Sequence, residues 1–227
     1  MKKLATAILA CFACYLPACS QSDSSRTIID LKNHFQQGTV TVSGVLSDPG
    51  YDRLHPETGF RDLIKENASA ATLVIINSKE PGKKIRVIGA IKNRDDQPIP
   101  NAVVYLYQTD SRGWYSSSSP HVGGNEGDFQ HARLFGYVKT DKNGKFELHT
   151  VKPSGYPQSD LPAHIHVHVT AEGYSPYGTE FLFQDDERLK GEILNRAIVD
   201  GGMIGVPEKS SAPFEQQFSY TMKLIKR

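Results

Sequence analysis

The sequence predicts an all-β sandwich preceded by a short mixed helix–strand segment. Three observations predict it. From Lys84 onward, apolar and polar residues alternate with period two over several short runs. Turn-forming clusters such as Asp95-Asp96-Gln97-Pro98 and Asp141-Lys142-Asn143-Gly144 separate those runs. Only residues 186–197 read as helix in that half, so the strands pair by short turns and bury their apolar faces sheet against sheet.

Taken in order, residues 28–36 read as a short helix with Ile28, Leu31 and Phe35 on one face. Residues 39–42 (Thr-Val-Thr-Val) alternate like a strand, and residues 61–71 read as a helix presenting Leu63 and Ile64. Ile85, Val87 and Ile91 then alternate with Lys84, Arg86 and Lys92, and Val103, Tyr105 and Tyr107 with Val104 and Leu106. Residues 136–140 and 145–150 flank an Asn-Gly pair, the strongest short-range hairpin signal. Residues 163–170 and 178–183 are further strands. Phe218, Tyr220, Met222 and Leu224 close the chain in strict alternation.

Residues 1–18 read as an export signal. Lys2 and Lys3 open it, and residues 4–15 form an uncharged apolar run. That run is shorter than the roughly 20 residues a helix needs to cross about 30 Å of hydrocarbon, so it is a signal core and not a membrane span. It leads into Leu16-Pro17-Ala18-Cys19, which resembles a lipoprotein lipobox and makes Cys19 the lipidation residue. Pro17 is unusual there, which keeps an ordinary signal-peptidase site as the alternative.

Cys11, Cys14 and Cys19 are the three cysteines of the chain, so the exported domain has no internal disulfide and relies on its core. Residues 19–27 are polar and read as a tether to a membrane, facing the periplasm or cell exterior. Ser20 in place of Asp after the Cys favours the outer membrane of a Gram-negative host. Residues 28–83 form an N-terminal segment and residues 84–227 the sandwich. With 26 basic against 25 acidic side chains, binding to nucleic acid through bulk positive charge is excluded. An apolar content of 38% at so low a net charge excludes a disordered chain.

The candidate chemistry sits on one strand and two loops. In residues 163–169 (Ala-His-Ile-His-Val-His-Val), His164, His166 and His168 share one face and the aliphatic residues take the other. Imidazoles at i and i+2 of a strand lie close enough to share a metal, and a rigid strand holds them at low entropic cost. Three of the chain's eight His in alternate positions make a merely His-rich surface the weaker reading. The pattern suits Zn, Cu or Fe alike. Tyr115 follows Asp110-Ser111-Arg112-Gly113-Trp114, and Tyr156 lies in Lys152-Pro153-Ser154-Gly155-Tyr156-Pro157. Among ten Tyr, either one alone reads as a packing or surface residue.

Together these segments resemble the intradiol ring-cleavage dioxygenases of the catechol and protocatechuate type. The resemblance is carried by Ile88-Gly89-Ala90 with Gln97-Pro98-Ile99-Pro100-Asn101-Ala102, and by Tyr107-Gln108-Thr109-Asp110 through Gly113-Trp114-Tyr115. It continues in Thr140-Asp141-Lys142-Asn143-Gly144-Lys145-Phe146, Pro153-Ser154-Gly155-Tyr156-Pro157 and Pro162-Ala163-His164-Ile165-His166, and so covers about residues 80–190. It implies a β-sandwich of the intradiol dioxygenase type and non-haem Fe(III) held by Tyr115, Tyr156, His164 and His166. A small aromatic diol and dioxygen are the implied substrates. It further implies that the diol chelates as a dianion and displaces Tyr156, which helps take up a proton, and that the product is a muconate-type diacid. His168 has no ligand role in the family. A phenol with a pKa of about 10 ionises at neutral pH only beside a strong Lewis acid, and hard phenolate oxygens favour ferric over ferrous iron.

Three departures bear on activity, one of them the short loop from Tyr156 to His164. The family's Arg, three positions before the first ligand His, is Leu161 here, and its Gln beyond the His strand is Glu180. Arg133 is the sequence candidate to supply the missing charge. These departures leave open an iron-binding relative with weak or no turnover. A rival of another class is a transthyretin-like binding module on the cell envelope, which residues 89–107, 141–146 and 172–174 also resemble. Such a module has no need of Gly-Trp-Tyr, Gly-Tyr-Pro and His-x-His in this order.

Overall fold

The period-two runs form two five-stranded sheets stacked face to face. The computed structural model describes residues 19–117 and 132–227. Its strands are β1 (Thr72–Val74), β2 (Lys84–Lys92), β3 (Val103–Gln108), β4 (Leu134–Lys139), β5 (Lys145–Val151), β6 (His164–Thr170), β7 (Tyr177–Phe183), β8 (Met203–Gly205), β9 (Glu208–Lys209) and β10 (Gln216–Lys223). One sheet has the order β1-β5-β2-β10-β9 and the other β4-β3-β6-β7-β8. Helices α1 (Cys19–Gln36), α2 (Val42–Leu46) and α3 (Thr58–Glu66) precede the sheets, and α4 (Gly191–Val199) lies between β7 and β8.

Alternation decides what each sheet buries. Val104 and Leu106 of β3, Ile165, Val167 and Val169 of β6, and Phe181 and Phe183 of β7 face Ile85, Val87, Leu148, Phe218 and Met222 of the other sheet. Phe181 stacks on Tyr220 at 4.0 Å and Phe183 meets Phe218 edge-on at 4.8 Å, so aromatic pairs span the two layers. Phe146 pairs with Gly89 across β5 and β2. A Cβ on Gly89 would stand 2.1 Å from the Phe146 ring, so that ring needs a glycine beneath it.

Burial of the aliphatic face of β6 turns His164, His166 and His168 to the opposite face, and the candidate site is built there.

The structure revises four expectations. The 39–42 run is not a strand: the Thr41 side chain accepts a hydrogen bond from Gly44 N and caps α2, which overrides the local alternation. The helix expected over 61–71 runs from Thr58 to Glu66, and Asn67 closes it by donating its side-chain amide to Leu63 O. The helix expected over 28–36 extends back to Cys19, so residues 19–27, expected as a polar tether, are helical. The Asp141–Gly144 turn does not join paired strands. Asp141 Oδ1 accepts from Asn143 N and Lys145 N, and Gly144 adopts φ +70°, yet β4 pairs with β3 while β5 pairs with β2 and β1. The turn therefore carries the chain from one sheet to the other.

The boundary drawn at residue 84 does not divide the core. β1 pairs in parallel with β5, and Leu46 and Leu73 pack over Gly136 of β4. Phe60, Leu63 and Ile64 of α3 are buried, and the Arg61 guanidinium lies 3.7 Å from the Phe135 ring centroid. Buried His55 donates from Nδ1 to Arg133 O at 2.7 Å and stacks on Phe60, and burial pushes its pKa down to about 4. The N-terminal segment thus clamps the chain where it enters β4. Residues 1–18, expected as an export signal and including Cys11 and Cys14, lie outside the described residues. Among the described residues, no helix is long and apolar enough to cross a membrane.

Candidate metal centre

Four side chains from three chain segments converge on the outer face of β6. The hydroxyls of Tyr115 and Tyr156 are 2.7 Å apart. Tyr156 Oη is 3.1 Å from His164 Nε2, Tyr115 Oη is 3.1 Å from His166 Nε2, and the two Nε2 atoms are 3.1 Å apart. All four residues predicted as ligands from the sequence are thus brought together.

The tautomers of both histidines follow from their outer partners. His164 Nδ1 lies 2.8 Å from the Pro162 carbonyl, which can only accept, so Nδ1 carries the proton and Nε2 presents its lone pair inward. Glu180, directly across from His166 in the β6–β7 register, sets its carboxylate 3.5 Å from His166 Nδ1 and favours the same tautomer there. Tyr107, the β3 partner of His166, stacks on its ring at 4.4 Å and 13°. His166 is therefore held in plane by Tyr107 and in rotation by Glu180.

The two tyrosine loops meet backbone to backbone. Asp110, buried at the end of β3, accepts from Arg112 N and Trp114 N through Oδ1 and from the Arg112 guanidinium through Oδ2, which shapes the turn before Tyr115. Gly113 takes φ +82°, and a Cβ there would stand 2.3 Å from Gly155 O, so only glycine permits this approach. Thr109 Oγ1 donates to Ser154 O and Ser154 Oγ donates to Ser111 O, joining the loops on either side of the contact. Arg188 Nη1 donates to both Tyr156 O and Leu161 O, spanning the Tyr156 loop. Arg188 leaves no signal in the sequence, because it lies well beyond the His strand and its side chain acts only on backbone carbonyls.

Of the other candidates, Arg133 is placed differently from its expected role. Its guanidinium makes two hydrogen bonds to the buried Glu80 carboxylate, at 2.8 and 2.6 Å, and lies 3.9 Å from Asp110. Its charge is spent on that network, and its backbone N–H donates to Tyr115 O. Leu161 is 52% exposed and lines, with His166 and Glu180, a cavity of about 590 Å³ under α4. His168 lies on the same cavity wall, and partial burial lowers its pKa.

The donor set fits a hard trivalent ion. Two neutral imidazole nitrogens face two phenols, and two phenolates would offset two of three positive charges. His164, His166 and Glu180 also place three ligand atoms within 4.8 Å of one another, a second grouping on the same strands.

A β-sandwich with paired tyrosines and a His-x-His strand is the architecture that the sequence resemblance anticipates. Residues 62–226 match the family described as Dioxygenase, and the chain belongs to it as an intradiol-type member. It is 28% identical over 134 residues to a chlorocatechol 1,2-dioxygenase of Rhodococcus opacus, an alignment covering 52% of this chain and 50% of that protein. It is 31% identical over 127 residues to catechol 1,2-dioxygenase 1 of Acinetobacter lwoffii, covering 49% and 39%. The alignments thus span half or less of these relatives. Catechol 1,2-dioxygenase from Pseudomonas arvilla C-1 shares the fold with a TM-score of 0.55 at 16% identity, over 91% of this chain and 78% of that one. The 3-chlorocatechol 1,2-dioxygenase of Rhodococcus opacus 1CP does so at 0.53 and 18%, over 92% and 98%.

Removing the Arg188 clamp should loosen the Tyr156 loop without touching a donor atom. For a metal held by Tyr115, Tyr156, His164 and His166, Arg188→Ala should weaken the affinity about 10–100-fold in a chelator competition, the usual effect of losing an outer support. Unchanged affinity would show that the loop holds Tyr156 without Arg188.

Proposed function

We propose that the chain is a non-haem ferric dioxygenase that opens catechol-type rings between the two hydroxylated carbons. Tyr115, Tyr156, His164 and His166 hold the iron. One observation carries this reading: four donor atoms of the matching type meet on one face, with neighbouring donors 2.7–3.1 Å apart. A binding module has no use for that convergence. Ferric iron, when bound, makes a chelated diol ring susceptible to dioxygen, both of whose atoms end in a muconate-type diacid.

The residues of the chain divide the remaining work. Tyr115 is 5% exposed and enclosed by its turn, so it is the fixed phenol. Tyr156 is half-buried on a loop, so its phenolic oxygen is the one able to swing away and take up a substrate hydroxyl proton. Glu180 positions His166 from behind. Leu161 supplies no charge where the family has Arg, and Arg133 is neutralised by Glu80. Loss of such an electrostatic contact typically costs about 10²–10³ in rate. These two facts favour, as a second reading, an iron-binding relative with slow turnover.

Cys19 is proposed to be lipidated, with the domain on the outer side of a membrane. The support is the charged n-region, the short apolar run and the absence of cysteines after residue 19. On fractionation, Cys19→Ser should release the protein from membranes. Equal solubility of variant and wild type would refute the anchor.

Protein from iron-supplied cells should contain about one iron per chain and show a visible Tyr-to-iron charge-transfer band. Tyr115→Phe or His164→Ala should lose the iron or the colour. Catechols should yield the intradiol diacid. Stoichiometric zinc without a visible band, or an extradiol aldehyde product, would overturn the reading.

A further inference from the structure

The cavity beside His166 is larger than the catechol ring requires. About 590 Å³ lies in the range that holds drug-sized ligands, so there is room for a substituent beyond the diol ring. One wall is β6 and β7, with His166 and Glu180. The facing wall is α4, where Ile193 and Arg196, one turn apart, line the space. The loop after Tyr156 adds Asp160 and Leu161, and Asp200 closes the end of α4.

The charges of this lining are unequal. Asp160, Glu180 and Asp200 supply three carboxylates against the single guanidinium of Arg196. Among the described residues, Asp160, Arg196 and Asp200 have no ion-pair partner within 4.0 Å, and Asp160 and Asp200 are exposed to the cavity mouth. Leu161, at the position where the resembling family carries Arg, removes a second positive charge from the same wall. A negatively charged substituent on the ring would meet net repulsion here. A protonated amine would meet two carboxylates that the protein itself leaves unpaired. The ring beneath it would lie against the apolar surface of Leu161 and Ile193.

We propose, resting on the ring-cleavage reading above, that this cavity selects catechols whose ring carries a protonated aminoalkyl substituent, through Asp160 and Asp200. The diol is held at the Tyr–His cluster, and the chain of the substituent runs along α4 toward the two carboxylates. Glu180 is occupied with His166 Nδ1 and leaves this task to the outer pair.

The test is a binding titration of the iron-loaded protein under anaerobic conditions, so that no turnover intervenes. The visible band is followed with catechol, 4-(2-aminoethyl)catechol and 3,4-dihydroxybenzoate. The aminoethyl compound should bind about three- to tenfold tighter than catechol, the scale expected of two partly exposed charge pairs, and the benzoate more weakly than catechol. Added salt should shrink the preference. In Asp160→Asn/Asp200→Asn, the ratio of aminoethyl to unsubstituted affinity should fall toward one. If catechol shifts the band but the benzoate binds as well as the aminoethyl compound, the charge selection is refuted while the ring-cleavage reading stands. The same holds if the double variant keeps the ratio. If no catechol perturbs the band of an iron-containing protein, the ring-cleavage reading itself fails and the selection falls with it.

Discussion

Tyr115 and Tyr156 are far apart in sequence, and nothing in either loop alone would hold their hydroxyls 2.7 Å from each other. What does so is a backbone contact between Gly113 and Gly155 O, closer than any side chain allows. The buried Asp110 shapes one loop, Arg188 spans the other, and Thr109 and Ser154 join them. The histidines need no such arrangement, because a strand buried on its aliphatic face presents alternate residues outward by geometry alone. The site is therefore a rigid half, supplied by β6 and its stacked neighbour Tyr107, closed by an assembled half. The assembled half is where substitutions would be felt first, since it rests on a few hydrogen-bonding side chains, Asp110, Arg188, Thr109 and Ser154, and on the missing Cβ of Gly113.

Much of this was legible in the sequence because it is local. Alternation in β2, β3, β6 and β10 reports which side chains share a face, and His-x-His reports two imidazoles on one of them. Partnership is not local. The Asn-Gly turn has hairpin chemistry, and Asp141 does satisfy it, yet β4 and β5 find their partners in different sheets because burial of Phe146 over Gly89 and of Phe135 under α3 rewards separation. Thr41 shows the opposite limit: one side-chain hydrogen bond to Gly44 N turned an alternating run into a helix start. Arg188 was invisible because an arginine that binds only carbonyls leaves no pattern. Arg133 was visible as a charge, but not as a charge already paired with Glu80.

That pairing alters the electrostatic character of the site. With Arg133 neutralised and Leu161 exposed on the cavity wall, the charged side chains lining the cavity beside His166 are mainly carboxylates. Glu180 sits where it can favour one tautomer of His166. A carboxylate behind a ligand imidazole makes the inner nitrogen a better donor to a high-charge ion. The same geometry leaves a second donor grouping available, two histidines and a carboxylate, which would suit a divalent ion without either tyrosine. The two groupings make different demands on the loops: only the first requires the Gly113–Gly155 contact.

The measurement that separates them most directly is the coordination shell of the iron-loaded protein, by anomalous diffraction or X-ray absorption. The Tyr–His centre requires one iron per chain bound by the phenolate oxygens of Tyr115 and Tyr156 and by Nε2 of His164 and His166, with Glu180 outside the shell. Iron bound by His164, His166 and the Glu180 carboxylate, with both tyrosine hydroxyls remote from it, would contradict it.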